Sequence, residues 1–301
     1  MDIRETFNAE TNKWIDIDAS NGEDLSKLNQ VYGIDEEIIG YSLDRNERAH
    51  VEYDEDTGVF FLIYHAPNLD ETGDNYETFP FTFIVKDNYL ITISSKHTKY
   101  ITTMMEKYLH NHHEESLFHF LFKSLFLITA AFFPLVEKMD INRKLINDKL
   151  REKTTKENLL GLSDLETGIV YLVSASKQNT MLLEQIKAQA FYRKLTEFEK
   201  EQLDDALIEA RQLLEMTQLS SQILQQLSGT YNNVLNNNLN DTMKILTVLS
   251  VLLTLPTIIT GFFGMNMPLP LEHNRMGWII SIGISLVSWF ILSFILRRRM
   301  R

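Results

Sequence analysis

Between residues 240 and 264 the polar and small side chains are not scattered. Asn240, Met243, Thr247, Ser250, Thr254, Thr257, Gly261 and Gly264 follow one another at alternating steps of three and four, the spacing that keeps residues on one face of a helix. The residues around them are mainly Leu, Ile and Val. A row of hydroxyls, an amide and glycines is a poor surface for lipid, and two uses fit it. Small residues let membrane helices pack closely. Alternatively, several copies set their rows around one axis, and the neutral oxygens hydrogen-bond to the water shell of a passing ion. The row covers a whole apolar segment and continues below it into Asn240, further than one local contact requires.

The elements that must carry this row are two apolar segments, 245–263 and 278–296, of 19 residues each with no charged side chain inside. As helices each reaches roughly 28 Å, about the thickness of a hydrocarbon core. Lys244 precedes the first, and Arg297, Arg298, Arg299 and Arg301 follow the second; the 264–277 loop holds only Arg275 and Glu272. By the positive-inside bias both termini are expected in the cytosol and the loop outside, with Trp278 at the outer interface. The first 20 residues contain no apolar run able to act as a secretory signal. A third apolar stretch, 117–136, holds His119, Lys123 and Pro134 and runs into a highly charged helical pattern, so it reads as a core helix rather than a span.

Charge divides the chain in the same place. The 301 residues carry 41 acidic against 29 basic side chains, a net charge of -12. Residues 243–301 contribute six basic residues against Glu272 alone, or +5, which leaves -17 for residues 1–242. An acidic body repels phosphate backbones, so nucleic acid is not an expected partner, whereas divalent cations are. With no cysteine, disulfides and thiolate metal sites are excluded.

Residues 1–110 read as an α/β domain: aromatic and β-branched runs at 13–18, 50–53, 59–65, 78–85 and 89–95 alternate with turn signals, and 20–41 is helical with Leu25, Leu28 and Val31 on one face. Residues 111–196 read as helical, with Gly161 marking a break between two long helices. From 197 no proline occurs until Pro256, so a stalk helix is expected to run over 197–263 into the first span. At that length, on the order of 100 Å, it needs neighbours, and Leu203, Leu207, Leu214, Ile223, Leu227, Val234 and Leu235 suggest a seam against earlier helices or other copies. A 264–277 external loop, the 278–296 span and a basic 297–301 tail complete the expected order.

Phe263-Gly264-Met265-Asn266, followed by Met267-Pro268, resembles the Tyr/Phe-Gly-Met-Asn signature of the CorA family of divalent-cation channels, at the same place after the first of two C-terminal spans. Trp14-Ile15-Asp16 and the 85–93 run resemble the family's N-terminal domain, so the likeness covers essentially the whole chain. It implies a CorA-like funnel, a homopentamer in the plasma or inner membrane, and passive uptake of hydrated Mg²⁺ as substrate, driven by membrane potential, with no cofactor. It also implies roles. Gly264, Met265 and Asn266 would form the selectivity loop, Asn266 offering its carbonyl to the hydrated ion. Asn240, Thr247, Ser250, Thr254, Thr257 and Gly261 would line the pore, with Met243 and Leu246 as an apolar constriction. Lys244, Arg297, Arg298 and Arg299 would form a basic inner belt. Asp204 and Asp205 would bind regulatory Mg²⁺ that gates the pore. Transport of Co²⁺, Ni²⁺ or Zn²⁺, or a two-span anchor or sensor without transport, is the alternative. Glu272 is the sole carboxylate of the loop, whereas many family members carry an acidic residue directly after Met-Pro.

No phosphate loop, HExxH or nucleophile elbow is present, which points away from an enzyme or an ATP-driven pump. The 110–115 run, HNHHEE, reads as a polar connector into a helix rather than a metal site, and the Phe-rich 118–133 run as core.

Overall fold

The computed structural model describes residues 3–69, 76–265 and 276–299. They divide into two compact units, 1–228 and 229–301.

Among the described residues the first unit is built on six strands: β1 (Ile3–Phe7), β2 (Asn12–Asp18), β3 (His50–Tyr53), β4 (Phe60–Pro67), β5 (Thr78–Lys86) and β6 (Tyr89–Ser94). They lie in the order β1-β2-β6-β5-β4-β3. Only β2 and β6 pair in parallel; the other neighbours are antiparallel. The connection between the parallel pair carries α1 (Gly22–Tyr32) and α2 (Glu36–Leu43). Their Leu25, Leu28, Ile38 and Ile39 pack with Ile15, Ile17, Phe61, Ile63, Ile84, Ile91 and Ile93. Strand positions of opposite parity meet other helices: Trp14 and Phe7 set their rings edge-on to Phe120, at 5.7 and 5.4 Å, and Tyr64 Oη shares a hydrogen bond with Thr129 at 2.7 Å. The alternation of side chains along a strand thus places helices on both faces of the sheet.

The expected helix over 20–41 is two helices. Gly33 at φ +58° takes the left-handed conformation that ends α1, and its N–H reaches the Asn29 carbonyl at 3.0 Å. Val31, expected on the apolar face, is 68% exposed.

After α3 (Lys99–Asn111) come α4 (Leu117–Ala130), α5 (Phe133–Glu152), α6 (Lys156–Ala188), a short 3-10 turn (Ala190–Lys194) and α7 (Glu197–Phe263). The apolar stretch through α4 meets the length and hydropathy of a membrane span, as do α7 and the last helix, but 61% of its window is buried against 0% and 6% for the other two. It is a core helix. Pro134 sits at the start of α5, where its missing N–H costs nothing.

Gly161 does not break the helices. The break falls at residues 153–155, where Thr155 caps α6 by accepting from Asn158 N–H at 3.3 Å. Gly161 lies inside α6 because a Cβ there would come 3.2 Å from Ile146 Cδ1 on α5: it is a close-packing glycine. In its first half α7 packs on α6, with Thr180 Oγ1 donating to the Ala210 carbonyl at 3.2 Å and Arg211 bridging to Glu184 at 2.6 Å. The buried face runs through Leu203, Ala206, Leu207, Ala210, Leu213, Thr217 and Leu224. Of the expected seam, Leu203 and Leu207 are buried within the chain, Leu214, Ile223, Leu227 and Leu235 are partly buried beside the buried Leu213 and Leu224, and Val234 is 39% exposed.

The second unit, from Gly229, holds the rest of α7 and α8 (Gly277–Arg299).

Candidate functional site

All eight residues of the polar row fall on α7 or directly after it. Within 240–265 every one is exposed in the single chain, as are Ile245 (70%), Leu246 (62%), Leu253 (60%) and Ile258 (60%) on the other faces. Over 245–263 the helix is uncharged and only its Val248, Leu252, Leu255, Pro256, Ile259 and Phe263 face is partly covered, as expected of a membrane helix in need of neighbours.

The hydroxyls of the row share one arrangement. Thr247 donates to the Met243 carbonyl at 2.8 Å, Ser250 to Leu246 at 2.9 Å, Thr254 to Ser250 at 2.8 Å and Thr257 to Leu253 at 3.0 Å. Each hydroxyl proton is therefore used on the helix's own backbone, and what remains on each oxygen is accepting capacity. Pro256 adds to this, since a proline leaves the carbonyl four residues earlier, that of Leu252, without its helical donor.

At the lower end a cleft of about 740 Å³ is lined by Asn240, Met243, Lys244 and Thr247 together with Asn237, Asp241, Val248 and Leu296 of α8. Lys244 pairs with Asp241 at 2.9 Å. Asn237 and Asp241 were not singled out from the sequence; the Asn-rich 232–241 run was the available signal. At the upper end α7 closes with the Gly264 N–H on the Thr260 carbonyl at 2.9 Å, and a Cβ on Gly264 would stand 3.1 Å from that same oxygen. Met265 is half exposed. Asn266, Met267, Pro268, Glu272, Arg275 and Arg301 lie outside the described residues. Arg297, Arg298 and Arg299 form the last turn of α8, with Arg298 exposed.

The acidic pair on α7 separates. Asp204 is engaged by Lys187 Nζ of α6 at 2.7 Å, while Asp205 faces solvent. Among the described residues no three His, Asp or Glu side chains converge as a metal cluster. The 110–115 run is split between the end of α3 and the connector to α4.

Two polar constellations escaped the sequence. Buried Asp16 accepts from Arg4, Thr92 and Ser94 at 2.9, 2.8 and 3.2 Å, and its burial raises its pKa above the usual carboxylate value. At the start of α7, Thr196 and Glu199 form a reciprocal capping box: Thr196 N–H donates to Glu199 Oε2 at 2.8 Å and Glu199 N–H to Thr196 Oγ1 at 3.3 Å. Ser116, the cap of α4, donates to the other oxygen of Glu199 at 2.6 Å.

With this geometry in place, the relatives of the chain can be read. The family described as "CorA-like Mg2+ transporter protein" matches residues 9–298. The cobalt/magnesium transport protein CorA of Methanocaldococcus jannaschii is 27% identical over 290 residues, covering 95% of this chain and 90% of that protein. The complete structure of the CorA magnesium transporter from the same organism superposes with a TM-score of 0.82 at 26% identity, over 99% of this chain and 93% of that one. The full-length CmaX protein shares the fold at 14% identity, with a TM-score of 0.73 over 95% of this chain and 88% of that one. A match over residues 9–298 takes in β2 to β6 as well as the polar row, and the chain belongs to the CorA-like Mg²⁺ transporter family.

Proposed function

We propose that copies of this chain assemble in the cell membrane around the polar row of α7 and pass a hydrated divalent cation, Mg²⁺ foremost, passively into the cytosol. The observation that carries this reading is the back-bonding of Thr247, Ser250, Thr254 and Thr257. The water shell of a cation turns its hydrogens outward and needs acceptors that do not strip it. A wall of oxygens whose own protons are already committed supplies that. Mg²⁺ gives up its water reluctantly, so neutral acceptors let it enter and leave where a charged cage would hold it. The membrane potential supplies the drive.

On this reading 1–110 and 111–196 form the cytosolic body, 197–263 the stalk and first span, 264–277 the external loop, 278–296 the second span and 297–301 the tail. Both termini are cytosolic, and the assembly is a pentamer. Gly264, Met265 and Asn266 form the entrance, Met243 and Leu246 the apolar constriction, and Asn240 a polar ring inside it. Lys244 and Arg297, Arg298 and Arg299 form the inner belt. The pairing of Asp204 with Lys187 leaves Asp205 as the freer carboxylate for cytosolic Mg²⁺ that closes the pore. The name of the archaeal relative supports Co²⁺ as a second cargo.

The test is divalent flux into liposomes, with competing metals, for the wild type and Asn266→Ala. The expected result is Mg²⁺ uptake in the wild type and its loss in the variant at equal reconstitution. Normal uptake in Asn266→Ala would overturn the entrance assignment.

A further inference from the structure

Between α6 and the β4–β5 pair the first unit holds a cavity of about 400 Å³. That size falls within the roughly 300–1,000 Å³ of small-molecule sites. His65 of β4 and Thr78 of β5 line it from the sheet, Tyr171 and Ser174 from α6, and Arg45 and Glu77 stand at its open side. His65 is 8% exposed, and Asn179 takes its backbone N–H and carbonyl at 2.9 and 2.8 Å, yet neither ring nitrogen has a hydrogen bond. Its neighbour Gln178 is committed elsewhere, accepting from Ala49 N–H at 3.2 Å and donating to Ser174 Oγ at 3.0 Å. Other groups around the cavity have spare capacity too. Among the described residues, the Thr78 and Tyr171 hydroxyls and the Asn46 amide carry no hydrogen bond. Ser174, an acceptor from Gln178, keeps its own proton to donate. Buried or half-buried polar groups are normally paired, so several that converge unpaired on one cavity mark a binding site.

We propose that this cavity binds an uncharged nucleoside. Charge narrows the choice first. Arg45 Nη2 pairs with Glu77 Oε2 at 2.9 Å, so the two ions cancel. An anion would meet Glu77 and a body at -17, and a cation would meet Arg45. The same pair then selects a functional group. Glu77 Oε1 is a free acceptor beside the remaining N–H donors of a guanidinium that is held over the Phe79 ring at 5.0 Å. A carboxylate oxygen next to N–H donors complements two neighbouring hydroxyls, the 2′ and 3′ of a ribose. The other lining groups suit the base. Tyr171, 50% exposed, offers an aromatic ring for stacking. Neutral His65 and Asn46 each carry a donor and an acceptor, the alternation found along the edge of a base.

A nucleotide does not fit this description, because its phosphates bring the charge that Glu77 and the acidic body oppose. The site lies wholly within the first unit and owes nothing to the transport reading. Its ligand would touch α6, the sheet and the connector between α2 and β3 at once, and so brace α6 against the sheet. On its other side α6 carries the first half of α7, through Thr180 and the Ala210 carbonyl at 3.2 Å.

The experiment is equilibrium dialysis of the purified full chain in detergent against labelled adenosine, with 2′-deoxyadenosine and adenosine monophosphate as competitors. The expected result is saturable binding of one adenosine per chain with a Kd below about 1 mM. Each competitor should bind at least about tenfold more weakly, since one lacks a hydroxyl that bonds a charged group and the other adds charge. Two substitutions at exposed positions of α6 test the place: Ser174→Leu fills the cavity and Tyr171→Ala removes the ring, and both should weaken adenosine at least about tenfold. The competitor series uses the unaltered protein, so it decides the matter even if a variant does not fold. No saturable binding up to about 10 mM, equal affinity for 2′-deoxyadenosine, or unchanged binding in both variants would each overturn the site. Binding should persist in Asn266→Ala, and loss of flux with adenosine binding intact would count against the pore alone.

Discussion

Single residues show where chemistry and burial conflict. His65 and His119 are both buried, and burial holds the pKa of each below the ordinary histidine value. A group that resists protonation when folded gives the unfolded chain more protons as pH falls, so stability is full above about pH 6.5 and declines through and below it. The protein should therefore unfold at lower denaturant concentration at pH 5.5 than at pH 7.5, and replacing both histidines by Gln should flatten that difference. A midpoint that rises on acidification would contradict the assignment. None of this could be read from the sequence. The spacing of Glu115 and His119 is visible there, but Tyr108, which donates to Glu115 at 2.6 Å, and Phe198, which stacks on His119 at 4.2 Å, come from separate helices. The polar row was legible because its residues lie on a single helix, where spacing alone fixes the face.

Elements were legible wherever local chemistry decides them. The strands at 50–53, 60–67 and 78–86 follow β-branched and aromatic runs, and α7 begins at the residue after a Thr that opens a capping box. β1 was missed because its five residues, IRETF, include two charged side chains and gain their place only by pairing with β2. The parallel pairing of β2 with β6 is equally nonlocal. Gly161 was misread because a glycine demanded by packing looks the same in sequence as one that ends a helix. Gly168, further along α6, sharpens the distinction: a Cβ there would come within 2.9 Å of Tyr76 Cγ, and Tyr76 is 3% exposed. Tyr76 also receives a hydrogen bond from Asn142 of α5 at 3.1 Å, so it has little room to retreat. Gly168→Ala should cost about 1–3 kcal/mol in the unfolding of the first unit, although alanine is the better helix former. Thermal or denaturant melts would show it, and a stabilised variant would mean that the contact is soft.

At the scale of the whole chain, the split between a body at -17 and a C-terminal segment at +5 coincides with a change of solvent. The first unit has an apolar core of its own, built on the sheet and its covering helices. The second exposes Ile245, Leu246, Leu253, Ile258, Phe290 and Phe294 by 60% or more. Lipid can cover those side chains but not a face of hydroxyls, so the single chain is incomplete. Its mass in mild detergent should be that of an oligomer, five chains on the family's pattern, and a monodisperse monomer would leave the polar row without a shared axis.

The back-bonded hydroxyls have one more consequence. An ion path lined with carboxylates selects charge by a field that protons can titrate and salt can screen. Here the preference for positive ions would come instead from the direction in which covalent dipoles point, set by four hydrogen bonds within a single helix. Discrimination against anions would then persist unchanged from acid to alkaline pH and at high ionic strength. On that reading the sign of the selected ion would stay constant while the charge of the acidic body responds to conditions.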